Sequence, residues 1–178
     1  MAGVTYPTFA AGQKLTAALL NAAIPSVAYK ASDQSVTNST TVVNDNDLSF
    51  SVVSGATYNI DSYLQWVGND TGDIKFGFTF PASSTLSFAI IGPDDTATTF
   101  ASGGTRGTGE WFARNGQTSS PSGTIQVSGS TSTLAGIIKG QLVCNTTGTL
   151  QLQWAQNTAN ATATTLKAGS WMSLKRVA

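Results

Sequence analysis

Tyr58-Asn59-Ile60-Asp61-Ser62-Tyr63-Leu64-Gln65-Trp66 alternates strictly, with Tyr58, Ile60, Ser62, Leu64 and Trp66 on one face and Asn59, Asp61, Tyr63 and Gln65 on the other. A period of two over this length is the mark of a half-buried strand. The same pattern recurs on both sides. Leu48, Phe50 and Val52 alternate with Ser49 and Ser51, and Ile74, Phe76, Phe78 and Phe80 alternate with Lys75, Gly77 and Thr79. Leu86, Phe88 and Ile90 follow, then Leu150, Leu152 and Trp154 between glutamines, and finally Trp171–Arg176. Gly, Asn, Asp and Ser separate the runs and supply turns. Many short alternating strands with turn residues between them imply an all-β, antiparallel two-sheet sandwich or jelly roll.

Composition agrees. Charged residues make up 10% of the 178-residue chain, against roughly 25% in typical soluble domains. The one glutamate is Glu110, so the wet faces of long helices have no usual side chains to use. A chain of this size can bury about 70% of its unfolded surface, enough for one core without disulfides or metal. One domain with a short N-terminal appendage is the simplest division: residues 1–25 as arm and helix, residues 26–178 as sandwich.

The helix is expected in Leu15-Thr16-Ala17-Ala18-Leu19-Leu20-Asn21-Ala22-Ala23-Ile24-Pro25. Thr16 can cap the first free N–H groups, Leu15 and Leu20 stand at the two positions of a hydrophobic staple, and Pro25 disfavours helix at Ile24. Two turns are not stable alone, so this segment must dock on something.

Several kinds of chemistry are excluded or unsupported. The chain has no histidine and a single cysteine, Cys144. Ser-His-Asp and Cys-His catalysis, His-based metal sites and an internal disulfide are therefore ruled out. Cys144 lies in the apolar run 140–144 and reads as a buried small hydrophobe. Carboxylate chemistry needs only two acids about 5–9.5 Å apart, but nine acids on a β surface always offer some pair. No enzyme is expected. Asp45-Asn46-Asp47 and Asp70-Thr71-Gly72-Asp73 lack calcium-loop spacing and read as turns flanking strands. Gly103-Gly104-Thr105-Arg106-Gly107 lacks the Lys-Ser/Thr of a phosphate loop. No cofactor or metal is expected.

Net charge is zero but unevenly spread: every acid lies within residues 31–110, while residues from Trp111 onward carry five basic groups and no acid. These charges either solvate different strands or complement a neighbouring subunit. No basic run with interleaved aromatics exists to neutralise phosphates, so nucleic acid is not an expected partner. No cationic leader and no apolar run of ~20 residues opens or crosses this sequence, and the expectation is a soluble chain made in the cytosol without membrane contact. The stretch 101–123 is rich in Gly, Ser and Thr and carries Arg106, Trp111, Phe112 and Arg114. It reads either as a contact loop for a ligand or partner or, at Trp111-Phe112, as a further core strand.

Phe9-Ala10-Ala11-Gly12-Gln13-Lys14-Leu15-Thr16-Ala17-Ala18-Leu19-Leu20-Asn21 resembles the N-terminal G-x-x-(L/V)-T-A-x-x-(L/V)-N segment of tailed-bacteriophage virion proteins, found in head-fibre, decoration and minor tail proteins. The body is similar to phage proteins with a tumour-necrosis-factor/C1q-like sandwich. The similarity is carried by Asn44–Leu48, Tyr58–Ile60, Asp73–Phe76, Leu150–Asn157 and Gly169–Arg176. This resemblance implies a ten-strand jelly roll packed as a homotrimer, with Tyr63, Trp66 and Phe78 as intersubunit contacts. It implies an N-terminal anchor using Phe9, Leu15, Leu19, Leu20 and Ile24, held by the major capsid protein or tail proteins, and hence a place on the virion surface. The alternative is a tail-tip module binding host-surface glycan through Trp111, Arg114 and Asn115.

Overall fold

Apolar side chains at every second position bury one face of each strand, and two such faces closed on each other give the architecture. A computed structural model describes residues 7–93, 111–115 and 122–178. Helix α1 (Ala17–Ala23) precedes strands β1 (Ser26–Tyr29), β2 (Gln34–Val36), β3 (Val43–Val52), β4 (Ala56–Val67), β5 (Ile74–Thr79) and β6 (Thr85–Pro93). Then come β7 (Trp111–Asn115), β8 (Ile125–Val127), β9 (Leu134–Cys144), β10 (Gly148–Gln156), β11 (Thr164–Leu166) and β12 (Trp171–Arg176).

The larger sheet runs β1-β12-β4-β9-β6-β7, with β11 joining β2 to one end of β4; the smaller runs β3-β10-β5-β8. Every pairing is antiparallel. Without the short β2–β11 pair and the β6–β7 extension, the orders are β1-β12-β4-β9 over β3-β10-β5-β8. The chain then changes sheet at each connection except β5 to β8, and its first and last strands lie side by side. That is jelly-roll winding. The described strands outnumber the ten expected, because β6–β7 widens the larger sheet beyond β9 and β2–β11 caps one end.

The core holds Leu48, Phe50, Val52, Ile60, Leu64, Trp66, Ile74, Phe76, Phe78, Phe88, Leu152 and Trp154, on the faces that alternation assigns to it. Trp66 meets Phe76 edge-on at 5.5 Å, and Phe78 meets Phe88 at 5.0 Å. The Trp66 indole N–H donates to the Ser128 carbonyl at 2.9 Å. Two expected intersubunit contacts are thereby corrected. Trp66 and Phe78 are fully buried within one chain, while Tyr63 faces outward.

Thr16 caps α1, its hydroxyl accepting the Leu19 N–H at 3.2 Å, and Ile24 turns extended just before Pro25. Cys144 is buried and free. Asn69–Asp73 forms the expected turn, with the Gly72 and Asp73 N–H groups donating to the Asn69 carbonyl. The expected turn at Asp45-Asn46-Asp47 is not one: these residues lie within β3.

Candidate assembly surfaces and a buried ion pair

Exposed apolar side chains that cluster are candidate contact surfaces, whereas single ones are ordinary. Helix α1 buries none of its residues. Exposure around it runs from 49% at Leu20 to 65% at Ile24, with Phe9 and Leu15 also exposed and Leu19 half-buried. Ahead of the helix a tight turn closes with the Gln13 N–H donating to the Ala10 carbonyl and the Ala10 N–H donating to Gln13 Oε1. The five residues expected to form an anchor thus cluster in one short segment beside the sandwich and not in its core.

The outer face of the larger sheet carries a second such surface. Tyr29 on β1 pairs with Trp171 on β12, and Trp171 pairs with Tyr63 on β4. The β4–β9 register is the same at Asp61↔Lys139 and Leu64↔Gly136, which sets Tyr63 opposite Ile137. Ile137 pairs in turn with Ile91 on β6. Directly paired residues project from the same side of a sheet. Tyr29, Trp171, Tyr63, Ile137 and Ile91 therefore form one row across five strands, about 19 Å at the usual ~4.8 Å spacing. Tyr29 is 63% exposed, Tyr63 and Ile91 are exposed, and Trp171 and Ile137 are half-buried.

The neighbouring rows are polar at their centre, although the nearer one ends in the exposed Val27 on β1. Ser173, Asp61 and Lys139 lie in register, then Lys175, Asn59 and Gln141. Lys139 Nζ is 2.6 Å from Asp61 Oδ2. Pro25, Asn59, Asp61, Lys139, Ser173 and Lys175 help line a shallow depression of about 430 Å³ here. On another edge Lys167 pairs with Asp33. That ammonium, with the Ala168 N–H at 2.8 Å, holds the Asp33 carboxyl below the usual carboxylate range. The late basic residues Lys139 and Lys167 thus meet earlier acids within one chain, which accounts for part of the uneven charge without a neighbouring subunit.

A third feature joins the two sheets. Lys30 and Asp45 are both completely buried, and Lys30 Nζ lies 2.8 Å from Asp45 Oδ2. Nζ also donates to Gln34 Oε1 at 3.2 Å and stands 3.7 Å from Asp47 Oδ2. Asp45 Oδ1 accepts the Asp47 and Leu48 N–H groups, both at 3.0 Å, and the Trp154 indole N–H donates to Oδ2 at 3.2 Å. Asp47 Oδ2 is buried and accepts no hydrogen bond among the described residues. A bulge creates the site: the β3–β10 register shifts between Gln151 and Gln153. Extra backbone there turns Asp45 inward and aims two N–H groups at its own carboxylate instead of at β10.

Other expected contact residues fall elsewhere. Arg106 lies outside the described residues. Trp111, Phe112 and Arg114 belong to strand β7, paired with Pro93, Gly92 and Ile90, so this part of the expected loop is strand. Among the described residues no group of three His, Cys, Asp or Glu is arranged to hold a metal ion, and no helix is long and apolar enough to cross a membrane.

No protein-family model and no curated protein sequence matches the chain. Among solved structures it is similar to the infectious bursal disease virus VP2 subviral particle, at 12% identity over 86% of this chain and 37% of that one, with a TM-score of 0.19. It is also similar to the Gt strain structure of the same virus, at 14% identity over 98% of this chain and 46% of that one, again with a TM-score of 0.19. The chain spans less than half of either. Likeness at this level assigns no function to it.

Proposed function

We propose that this protein is a non-enzymatic structural component of a tailed-bacteriophage virion, a homotrimer held on the particle surface by residues 1–25. The observation that carries this reading is the exposed apolar segment around α1. Phe9, Leu15, Leu20 and Ile24 lie uncovered in the same stretch that resembles the N-terminus of phage virion proteins. A helix of seven residues is too short to persist by itself, so a partner surface, such as the major capsid protein or a tail protein, completes it.

Self-association draws support from the row Tyr29-Trp171-Tyr63-Ile137-Ile91. Aromatic and aliphatic side chains in a line are costly to leave in water, and aromatic residues dominate subunit interfaces. The trimer follows from the resemblance, and the row supplies the contact that three copies would share.

The test is co-sedimentation with particles of the encoding phage assembled without this protein. The full chain is expected to pellet with them, and residues 26–178 are expected to stay in the supernatant while remaining folded. Equal binding by the truncated chain would remove the anchor from this reading.

A further inference from the structure

We infer that Lys30 and Asp45 condense to an intramolecular amide bond, with Asp47 as the proton carrier. A fully buried Lys–Asp pair is an expensive way to join two sheets. Desolvating each ion costs several kcal/mol, which the mutual attraction often fails to recover. An amide at the same place removes both charges while keeping the connection.

The surroundings supply each part of the reaction. The amine and the carboxyl are held in contact, so their encounter is intramolecular and its entropy cost is met by folding. A proton passes from Nζ to Oδ2 across the 2.8 Å contact, leaving a neutral amine and a neutral acid. The Nζ lone pair then forms the N–C bond to the Asp45 carboxyl carbon, and the C=O π pair moves onto Oδ1. Oδ1 already accepts the Asp47 and Leu48 N–H groups, which stabilise the developing oxyanion. Asp47 Oδ2, 3.7 Å from Nζ and without another hydrogen bond among the described residues, takes the second Nζ proton and delivers it to the departing hydroxyl. The C–Oδ2 bond breaks, water leaves past the Trp154 indole N–H, and the pair on Oδ1 restores the carbonyl. One N–H remains on Nζ and faces Gln34 Oε1. The products are one amide and one water, Asp47 is returned unchanged, and no oxidant or reductant takes part.

The bond would tie the segment after β1, at one end of the larger sheet, to β3, at one end of the smaller. Within its own sheet β1 is held by four residue pairs with β12. A pull on the N-terminal arm that strips β1 from β12 would then stop at a covalent bond just after Tyr29. The chemistry is independent of the virion reading, and only this mechanical use depends on it.

Intact-mass spectrometry of the full chain tests it. The expected mass is lower than that of the sequence by one water, and trypsin is expected to leave Lys30 uncut and release residues 15–75 as one peptide that carries the deficit, with fragmentation placing it between Lys30 and Asp45. Lys30→Met and Asp47→Asn are expected to have full mass, and Asp47→Asn to keep the wild-type circular dichroism spectrum. Wild-type protein at full mass, or a water deficit mapped away from these two residues, would overturn the bond. A retained deficit in Asp47→Asn would overturn the role of Asp47.

Discussion

Asp45 meets Lys30 Nζ, an indole N–H and two backbone N–H groups, so truncating it leaves Lys30 as a buried ammonium without its nearest carboxylate and strands other donors as well, whether or not the amide forms in the wild-type chain. Asp45→Ala is expected to cost at least about 3 kcal/mol, the usual penalty for breaking a buried pair from one side. Chemical denaturation measures it, as a lower midpoint at unchanged slope. Asp33 differs because its side chain is 43% exposed. Its carboxyl is held below the usual range by Lys167 and the Ala168 N–H, so its contribution is present above the ordinary Asp value and is lost as pH falls through the depressed one. Solvent limits such a pair to below about 1 kcal/mol. Asp33→Asn is therefore expected to be slightly less stable at neutral pH, with the gap closing once the medium is well below pH ~4. Midpoints of both proteins across a pH series would show this. At this scale the sequence reveals which residues are core, because alternation reports burial directly. It conceals the Lys30–Asp45 contact, since a bulge breaks the alternation at Asp45-Asn46-Asp47 and makes that run look like a turn. An isolated lysine following Tyr29 gives no sign of its partner 15 residues later.

The long alternating runs became β3, β4, β5, β6, β10 and β12, because each carries enough apolar residues at period two to specify its own face. The three-residue strands β2, β8 and β11 are too short to show a period and exist through their partners. β7 was expected as loop or strand, and pairing with β6 decides for strand. Close approaches between elements are equally silent in sequence. Gly129 packs on the Asn69–Asp73 turn so tightly that a Cβ would lie 2.2 Å from the Asn69 carbonyl oxygen. Backbone cannot yield as a side chain does, so Gly129→Ala is expected to cost about 1–3 kcal/mol or more, read as a lower thermal midpoint. Helix α1 should behave oppositely. Thr16→Ala removes a cap worth about 1 kcal/mol to the helix. α1 has no buried residue, so the sandwich is expected to melt unchanged in calorimetry while binding to particles weakens.

For the whole molecule, alternation with frequent turns was enough to reach an all-β sandwich. Strand order was beyond reach, because pairings such as β1 with β12 and β4 with β9 join segments far apart in the chain. The same non-local pairing explains the misassigned aromatics. Alternation sets Trp66 and Tyr63 on opposite faces of one strand, but only the packed sheets show that the Trp66 and Phe78 faces are covered within one chain and the Tyr63 face is not. What remains on that surface is an apolar row and an apolar arm, and the central claim is that both are covered in the assembled protein. Sedimentation velocity of the full chain beside a Tyr63→Lys, Trp171→Lys double variant tests it most directly. Wild-type protein is expected to sediment as a trimer and the variant as a folded monomer. A wild-type protein that stays monomeric at tens of micromolar, or a variant that stays trimeric, would contradict the account.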